Sequence, residues 1–196
     1  MTIGVLALQG SVSEHLKMIT SINKKIVTVP VRTVDELATV DGLIIPGGES
    51  TMLRKILETP PAPNVEPLFI PIKERIAAGM AVWGTCAGLI LLASRVEGEN
   101  PCFGLLDIDV KRNGYGRQIN SFVGEGEFDG MTVGMAFIRA PIVTRVGSGV
   151  QVLAEYDGKP VAVRQDNILA TTFHPEVMQR DNRIHKYFCN MVEDKV

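Results

Sequence analysis

The chain has 196 residues, of which 45% are hydrophobic, and its 20 Lys and Arg residues nearly balance 22 Asp and Glu residues, giving a net charge of −2. This length predicts a single domain over residues 1–196, or at most a domain with a small appendage, with a sizeable core. The balanced charge argues against nucleic-acid binding and a membrane surface, and no apolar run approaches the roughly 18–20 residues of a membrane-spanning helix.

The first half of the chain alternates short apolar runs, typical of buried parallel strands, with segments of helical spacing. Strands are predicted at residues 3–8, 26–31, 43–45 and 80–83. Helices are predicted at residues 12–22, 50–57 and 68–78, with a short helix or turn at 34–37 and Ser50 as the N-cap of the helix at 50–57. Residues 59–67 contain four prolines and are expected to form a surface loop.

The second half is predicted to be mostly strands joined by short turns. The strands are expected at residues 105–110, 121–123, 131–139, 151–156, 160–163 and 168–173. Glycine-containing turns are expected at 124–126, 129–130 and 157–158, and a closing helix at 183–192. Together the two halves predict an α/β fold with three α/β/α layers, a mostly parallel central sheet and antiparallel additions.

The three cysteines, Cys86, Cys102 and Cys189, are scattered and odd in number, without a CxxC spacing. The N-terminus also lacks the basic region and cleavage site of a signal peptide. These features predict a cytoplasmic location, and they argue against a disulfide framework or a zinc site. No metal and no organic cofactor are implied.

Cys86 has the sequence context of a catalytic nucleophile. Apolar runs stand on both sides of it, and Gly84 and Gly88 flank it at two residues on either side. This spacing is typical of a nucleophile elbow, a tight strand-to-helix turn that leaves the nucleophile at its tip near a helix N-terminus, where a thiolate is favoured. The alternative is a buried structural cysteine in an ordinary strand–turn–helix.

His174 and Glu176 are the candidates for activating such a thiol, because a cysteine nucleophile needs a base and the base needs an orienting group. They stand two positions apart around Pro175, which favours an extended backbone that directs both side chains to one side. A capping or surface role for His174 is the alternative. His15 and His185 are interpreted as surface or capping histidines.

Residues 46–51, Pro-Gly-Gly-Glu-Ser-Thr, lie between a predicted strand and a predicted helix. The two glycines allow the backbone to approach a ligand and direct N–H groups toward it, as in an oxyanion hole. Elbow geometry makes the N–H of Ala87 a second donor. An ordinary βα turn explains the same glycines, whereas a phosphate-binding loop is disfavoured because its lysine is absent.

Two arginines stand where they could hold a substrate carboxylate through a bidentate fork. Arg112 follows the predicted strand at 105–110, and Arg139 ends the strand at 131–139. A solvated surface arginine is the alternative for each.

Taken together, these motifs resemble class I glutamine amidotransferases, and more narrowly the glutaminase-subunit (PdxT) family of pyridoxal 5′-phosphate synthase. The resemblance covers essentially the whole chain in family order. It rests on residues 4–10 (GVLALQG), 42–51 (GLIIPGGEST), 84–88 (GTCAG), 112–118 (RNGYGRQ), 137–141 (FIRAP) and 173–176 (FHPE).

The resemblance implies a flavodoxin-like fold and a glutaminase activity. In this glutaminase reaction, Cys86 would attack the side-chain amide of L-glutamine, His174 would act as base and then acid, and Glu176 would orient His174. Other residues would form the oxyanion hole or contact glutamine: Gly48, Ala87, Glu49, Ser50, Arg112, Ile138 and Arg139. The ammonia would pass to a separate PdxS-like synthase subunit as protein partner.

The chain departs from the family pattern at Gly114-Tyr115, at the long proline-rich loop and at Val177. Two other functions are compatible with the motifs. One is the glutaminase subunit of another synthase, such as imidazole-glycerol-phosphate synthase, although residues 112–118 and 137–141 argue against it. The other is a non-catalytic DJ-1-like α/β protein, which would leave His174 and Glu176 without a role.

Overall fold

The computed structural model describes residues 1–112, 121–178 and 181–195. Its strands are β1 (Thr2–Leu6), β2 (Val27–Val31), β3 (Gly42–Ile45), β4 (Ala81–Thr85), β5 (Ala93–Val96), β6 (Leu106–Lys111), β7 (Ser121–Phe128), β8 (Met131–Ile138), β9 (Ile142–Val146), β10 (Gln151–Tyr156), β11 (Lys159–Gln165) and β12 (Ile168–Thr171). Its helices are α1 (Val12–Ile22), α2 (Val34–Ala38), α3 (Ser50–Glu58), α4 (Phe69–Ala77), α5 (Ala87–Leu92) and α6 (Arg183–Glu193), with a 3₁₀ helix at Pro175–Val177.

Within the described residues, the main sheet has nine strands in the order β2-β1-β3-β4-β12-β11-β10-β7-β8. The first five are parallel to one another, and the pairings from β12 onward are antiparallel. The predicted α/β class with antiparallel additions is confirmed, and the antiparallel part is as large as the parallel part. Because β1, β3, β4 and β12 are parallel, their carboxyl ends meet at one edge, which is where ligands bind in such sheets.

Helices cover both faces of this sheet, as the sequence predicts. Successive residues of a strand face opposite sides, so Val82 packs in a cluster with α3, α4 and α5, whereas its neighbour Trp83 packs with α1 and α6. The helices contribute apolar side chains such as Leu53 to the first cluster and Phe188 to the second. The sheet is therefore buried on both faces, which explains why its parallel strands are continuous apolar runs.

A second sheet was not predicted. Strands β5, β6 and β9 form a three-stranded sheet in the order β5-β6-β9, with β5 parallel and β9 antiparallel to β6. No strand was predicted at β5 or β9, and the β6 segment was expected in the main sheet. The second sheet matters for the site because β6 ends at Lys111, immediately before Arg112.

The turn predicted at residues 124–126 is wrong, because β7 runs through it. Glycine is present there for close packing: a Cβ on Gly124 would come within 2.8 Å of the Tyr156 ring, and one on Gly126 within 2.8 Å of Met135 Cε. The turns predicted at 129–130 and 157–158 are confirmed. Both have positive φ at both positions, as the tight turns of two-residue hairpins require. None of the described helices combines the length and the hydropathy that a membrane span requires.

Candidate active site

Cys86 forms the turn between β4 and α5 and has φ 48° and ψ −100°. A non-glycine residue at positive φ is rare, and this strained turn is the geometry of a nucleophile elbow. The flanking glycines are required by close packing, because a Cβ on Gly84 would lie 2.6 Å from the Gly88 carbonyl carbon and one on Gly88 would overlap with the Ile45 carbonyl oxygen. The Cys86 N–H donates to the Thr171 carbonyl at 2.8 Å, which ties the elbow to β12.

The Cys86 thiol lies at the end of β8 as well as at the end of β4. It is 7% exposed and donates to the carbonyl oxygen of Ile138 at 3.8 Å. The next residue, Arg139, has φ 48° and lines the same cavity as the thiol. The predicted pair Ile138 and Arg139 is therefore brought beside Cys86 by an antiparallel strand of the main sheet.

His174 and Glu176 follow β12, the strand next to β4. The backbone N–H of His174 donates to the Ala136 carbonyl at 2.8 Å, which anchors the loop on β8. His174 Nδ1 lies 2.7 Å from Glu176 Oε1, and the Glu176 side chain is fully buried. Since the ionised carboxylate can only accept, His174 donates from Nδ1, which leaves its other ring nitrogen for a second partner.

The backbone of this loop differs from the prediction. His174 itself is non-helical, with φ −109° and ψ 84°, but Pro175–Val177 form a 3₁₀ helix rather than an extended segment. Proline favours the first position of a helix because its φ is already suitable and its missing N–H is not needed there. The turn still directs the imidazole and the carboxylate toward each other.

The His174–Glu176 pair has strongly shifted pKa values. Burial lowers the pKa of His174, but hydrogen bonding and charge interactions with Cys86 and Glu176 outweigh it and raise the pKa to about 10. Burial raises the pKa of Glu176, but His15, His174 and a hydrogen bond from Ser11 lower it to about 2. The pair is thus held as a carboxylate that stabilises an imidazolium.

The interpretation of His15 and His185 as surface or capping histidines is wrong. Both are fully buried, on α1 and α6 respectively, and their rings meet at 3.0 Å between His15 Nδ1 and His185 Nε2. His15 Nε2 lies 3.5 Å from Glu176 Oε2. Ser11, at the start of α1, donates to Glu176 Oε1 at 2.5 Å. These contacts of α1 with the carboxylate were not predicted from the sequence.

The segment from Gly47 to Ser50 follows β3 and passes directly over the imidazole. The Gly47 N–H donates to Thr85 Oγ1 at 3.0 Å, and a Cβ on Gly47 would overlap with His174 Cε1. The N-cap of α3 is Glu49 rather than the predicted Ser50, because the Glu49 carboxylate accepts from the N–H groups of Thr51 and Met52. Within the described residues, the Ser50 hydroxyl is buried without a hydrogen-bond partner, so it is available to a ligand.

Arg112 reaches across from the three-stranded sheet to the start of α3. Its guanidinium pairs with Glu49 at 2.9 Å and with Glu99, and it donates to Thr51 Oγ1 at 3.0 Å. These contacts fix the orientation of the guanidinium at the rim of the cavity. The rest of the predicted stretch 112–118, including Gly114-Tyr115, lies outside the described residues.

One cavity of about 290 Å³ contains nearly all of the predicted site. Its lining residues are Gly48, Glu49, Ser50, Cys86, Ala87, Ile90, Arg112, Ile138, Arg139 and His174. Glu176 does not line the cavity and lies behind His174. Ile90 is the lining residue that sequence reasoning missed, although its position one helical turn after Cys86 indicates the same face of α5.

Comparison with known proteins identifies the family of this chain. Residues 5–194 match the SNO glutamine amidotransferase family. The chain belongs to this family. It is 47% identical over 195 residues to the pyridoxal 5′-phosphate synthase subunit PdxT of Mycobacteroides abscessus, covering 97% of this chain and 96% of the relative. It is 46% identical over 194 residues to the protein of that name from Methanocorpusculum labreanum, covering 98% of each chain.

A solved structure described as a crystal structure of glutamine amidotransferase is similar over nearly the whole chain. It superimposes with a TM-score of 0.88 at 39% identity and covers 97% of this chain and 98% of that chain. The class I glutamine amidotransferase fold and the glutaminase class implied by the sequence motifs are thereby confirmed.

Proposed function

We propose that this chain, a glutaminase subunit of pyridoxal 5′-phosphate synthase by family, hydrolyses L-glutamine to L-glutamate and ammonia with Cys86 as nucleophile. The observation that carries the proposal is the 2.7 Å contact of His174 Nδ1 with the buried Glu176 carboxylate, at the wall of the cavity that contains Cys86. This is the order of nucleophile, base and orienting group that thiol hydrolysis needs.

In the first half of the reaction the Cys86 proton lies on His174, which its raised pKa keeps as an imidazolium, and the sulfur attacks the side-chain amide carbon of glutamine. The carbonyl electrons move to the oxygen, giving a tetrahedral oxyanion. His174, now an imidazolium, gives its proton to the amide nitrogen, the C–N bond breaks, and ammonia leaves. The product is a γ-glutamyl thioester on Cys86. Glu176 stabilises the imidazolium in this step without taking its proton.

The oxyanion is expected to be stabilised by the backbone N–H groups of Gly48 and Ala87. Ala87 is the first residue of α5, so its N–H has no acceptor within the helix. Gly48 follows Gly47, which is held by Thr85 close to His174. Donors that are already oriented when charge develops lower the barrier without reorganisation.

In the second half of the reaction His174 removes a proton from water, and the resulting hydroxide attacks the thioester carbon. The C–S bond breaks, the proton taken from water stays on His174 beside the Cys86 sulfur, and glutamate leaves. The ammonia passes to a PdxS-like synthase subunit.

The cavity itself is assigned to the main-chain part of the bound glutamine. The guanidinium groups of Arg112 and Arg139 at the rim suit the main-chain carboxylate of this substrate, and Ser50, Glu49 and Ile138 complete the pocket.

Features that span the chain support the remaining expectations. Residues from Ser11 to Glu176 contribute to one site, which supports a single domain over 1–196. The three free cysteines support a cytoplasmic location. Relatives named as subunits of pyridoxal 5′-phosphate synthase favour that partner over imidazole-glycerol-phosphate synthase, and they disfavour a non-catalytic DJ-1-like protein.

The proposal is tested by labelling with a glutamine-analogue electrophile, followed by peptide mass spectrometry. We expect one label per chain, on Cys86, with excess glutamine protecting it. Cys102 and Cys189 serve as internal controls, because burial raises their thiol pKa to about 11 and about 12. Labelling spread over all three cysteines, or unaffected by glutamine, would refute a glutamine site. Co-purification with each candidate synthase subunit tests the partner separately.

A further inference from the structure

A buried polar cluster lies behind the Cys86–His174–Glu176 constellation, on the side away from the cavity. His15 from α1 and His185 from α6 are each fully shielded from solvent. Trp83 contacts both rings edge-on, with centroid distances of 5.5 Å to His15 and 4.8 Å to His185. Two buried imidazoles in van der Waals contact with one indole have fixed orientations, so the direction of their ring nitrogens is determined by packing.

The Glu176 carboxylate presents its second oxygen to this cluster. Oε1 accepts from His174 and from Ser11, whereas Oε2 is buried without a hydrogen-bond partner within the described residues. His15 Nε2 lies 3.5 Å from Oε2. A buried charged oxygen is unfavourable unless a polar group faces it. Whether His15 Nε2 carries a hydrogen therefore decides whether this contact is favourable.

The tautomers of the two histidines follow from their contacts. If His15 carried its proton on Nδ1, its bare Nε2 would face the Oε2 lone pairs, and His185 would bury an N–H on Nδ1 for which the described part of the chain offers no acceptor. If His185 donates from Nε2 to His15 Nδ1, the His15 proton is on Nε2 and faces Glu176. The second arrangement leaves only an acceptor nitrogen unpaired, which is less costly than an unpaired donor or facing lone pairs.

The charges around this cluster favour neutral rings. The titratable groups that face His15 are Glu176 and His174 from the loop after β12, His185 from α6, and Glu14 from its own helix. Burial outweighs the attraction of Glu176 and lowers the pKa of His15 to about 4. Burial also lowers the pKa of His185 well below its usual range. At neutral pH, His15 therefore acts as an oriented dipole rather than as a cation.

We propose that His15 is a positioning residue for glutamine hydrolysis, whose Nε2–H, oriented by His185, faces Glu176 Oε2 and holds the carboxylate in line with His174. This inference rests on the proposed function of the site. It extends the sequence of contacts from Cys86 through His174 and Glu176 to α1 and α6. His15 touches neither substrate nor the reacting atoms.

The same nitrogen connects the carboxylate to the other side of the active site. His15 Nε2 lies 3.4 Å from Thr85 Oγ1, which in turn accepts the Gly47 N–H at 3.0 Å. A displacement of His15 would therefore be felt both by Glu176 and by the segment that leads to Gly48. Thr85 is fully buried, so water does not replace either of these contacts.

Three variants separate a positioning role from a packing role. His15→Phe keeps an aromatic ring but removes both nitrogens. His15→Gln keeps an amide N–H near the position of Nε2, and His15→Asn keeps one only near Nδ1. Cys189→Ala is the matched control, because Cys189 is buried on α6 but makes no hydrogen bond to the cluster. Thermal unfolding of each variant reports on packing.

The measurement is the pH profile of glutamine hydrolysis by the chain in complex with its synthase partner. We expect His15→Phe to lower kcat by roughly 10- to 100-fold at nearly constant KM, as when a partner that orients a reacting side chain is removed. The acidic limb should move to higher pH, because Glu176 loses a group that favours its ionised form. His15→Gln should recover most of kcat, and His15→Asn should not.

Several results would overturn the proposal. A folded His15→Phe variant with wild-type kcat and an unmoved acidic limb would do so. A packing role would be shown if the Gln and Asn variants lost kcat equally and if, in these variants as in Cys189→Ala, kcat simply followed the unfolding temperature. Loss of folding in all three His15 variants would also show a purely structural requirement.

A second readout separates this proposal from the proposed function. The pH dependence of Cys86 alkylation by iodoacetamide reports on the Cys86–His174 pair without glutamine turnover. His15→Phe should move the acidic midpoint of alkylation to higher pH, and His15→Gln should restore it. If wild-type protein alkylates as expected but does not hydrolyse glutamine, the proposed function fails while the role of His15 is still decided.

Discussion

Gly47 and His174 are packed so closely that any side chain at position 47 would overlap with the imidazole. A Cβ there would overlap with His174 Cε1 and lie 3.3 Å from Cys86 Cβ. Gly47 is also held from the other side, since its N–H donates to the buried Thr85 hydroxyl. The glycine is therefore required by the close approach of the backbone to Cys86 and His174, and not only by the turn after β3.

Gly47→Ala is expected to lower kcat for glutamine hydrolysis by about 100-fold, because displacement of a reacting group by about 1 Å has that effect. Steady-state kinetics of the folded variant measures it. Gly149→Ala is the matched control and should leave kcat unchanged, because no atom of the described residues lies within 4 Å of a Cβ at that position. Equal activity of the two variants would contradict the packing of Gly47 against His174.

Stability should depend on pH through His174. Its pKa is raised from 6.5 to about 10 on folding, so protonated His174 stabilises the folded state fully below about pH 6.5, and this contribution is lost as pH rises toward 10. The free energy of unfolding of wild type relative to His174→Gln should therefore fall across that range. Chemical denaturation at several pH values measures the difference. A difference that stays constant from pH 6.5 to 10 would show that the His174 pKa is not raised.

Glu176 should produce the opposite dependence at acidic pH. Its pKa falls from 4.5 to about 2 on folding, so its carboxylate stabilises the folded state above about pH 4.5 and this contribution disappears as pH falls toward 2. Glu176→Gln should therefore lose less stability than wild type on acidification. Parallel acid titrations followed by circular dichroism compare the two proteins. Identical acid midpoints would argue against an ionised, buried Glu176.

Arg112→Lys tests the rim of the cavity. Lysine keeps the charge but cannot contact Glu49, Glu99 and Thr51 together, so we expect KM for glutamine to rise by about tenfold with kcat within about threefold. Arg145→Lys is the control, because Arg145 pairs with Asp107 and Asp109 on the second sheet, away from the cavity. A KM unchanged in Arg112→Lys would remove Arg112 from the proposed substrate-binding residues.

The placement of the proposed reactive residues could be predicted from sequence because each position depends on a local constraint. The glycines around Cys86 indicate a tight turn, since only small residues fit at that spacing. His174 and Glu176 stand only two positions apart around a proline, so they are close in space because they are close in the chain. The carboxyl ends of adjacent parallel strands then bring residues that are distant in sequence to one edge.

What could not be predicted depends on contacts between distant elements. His15 and His185 are 170 positions apart and meet only because α1 and α6 pack on the same face of the sheet. Each helix alone gives no sign that a histidine on it has a buried polar partner. Gly124 and Gly126 resemble turn residues in sequence, yet the space they leave is filled by Tyr156 and Met135 from other strands.

The most direct test of the central claim is release of glutamate and ammonia from glutamine by wild type and Cys86→Ala, each with and without the synthase subunit. Position 86 lines a preformed cavity, so alanine should leave the fold and the unfolding temperature nearly unchanged. We predict release by wild type that rises with the synthase and no release by Cys86→Ala in either condition. Turnover by Cys86→Ala, or wild type that stays inactive with its synthase, would contradict the assignment of Cys86 as the nucleophile of a glutaminase.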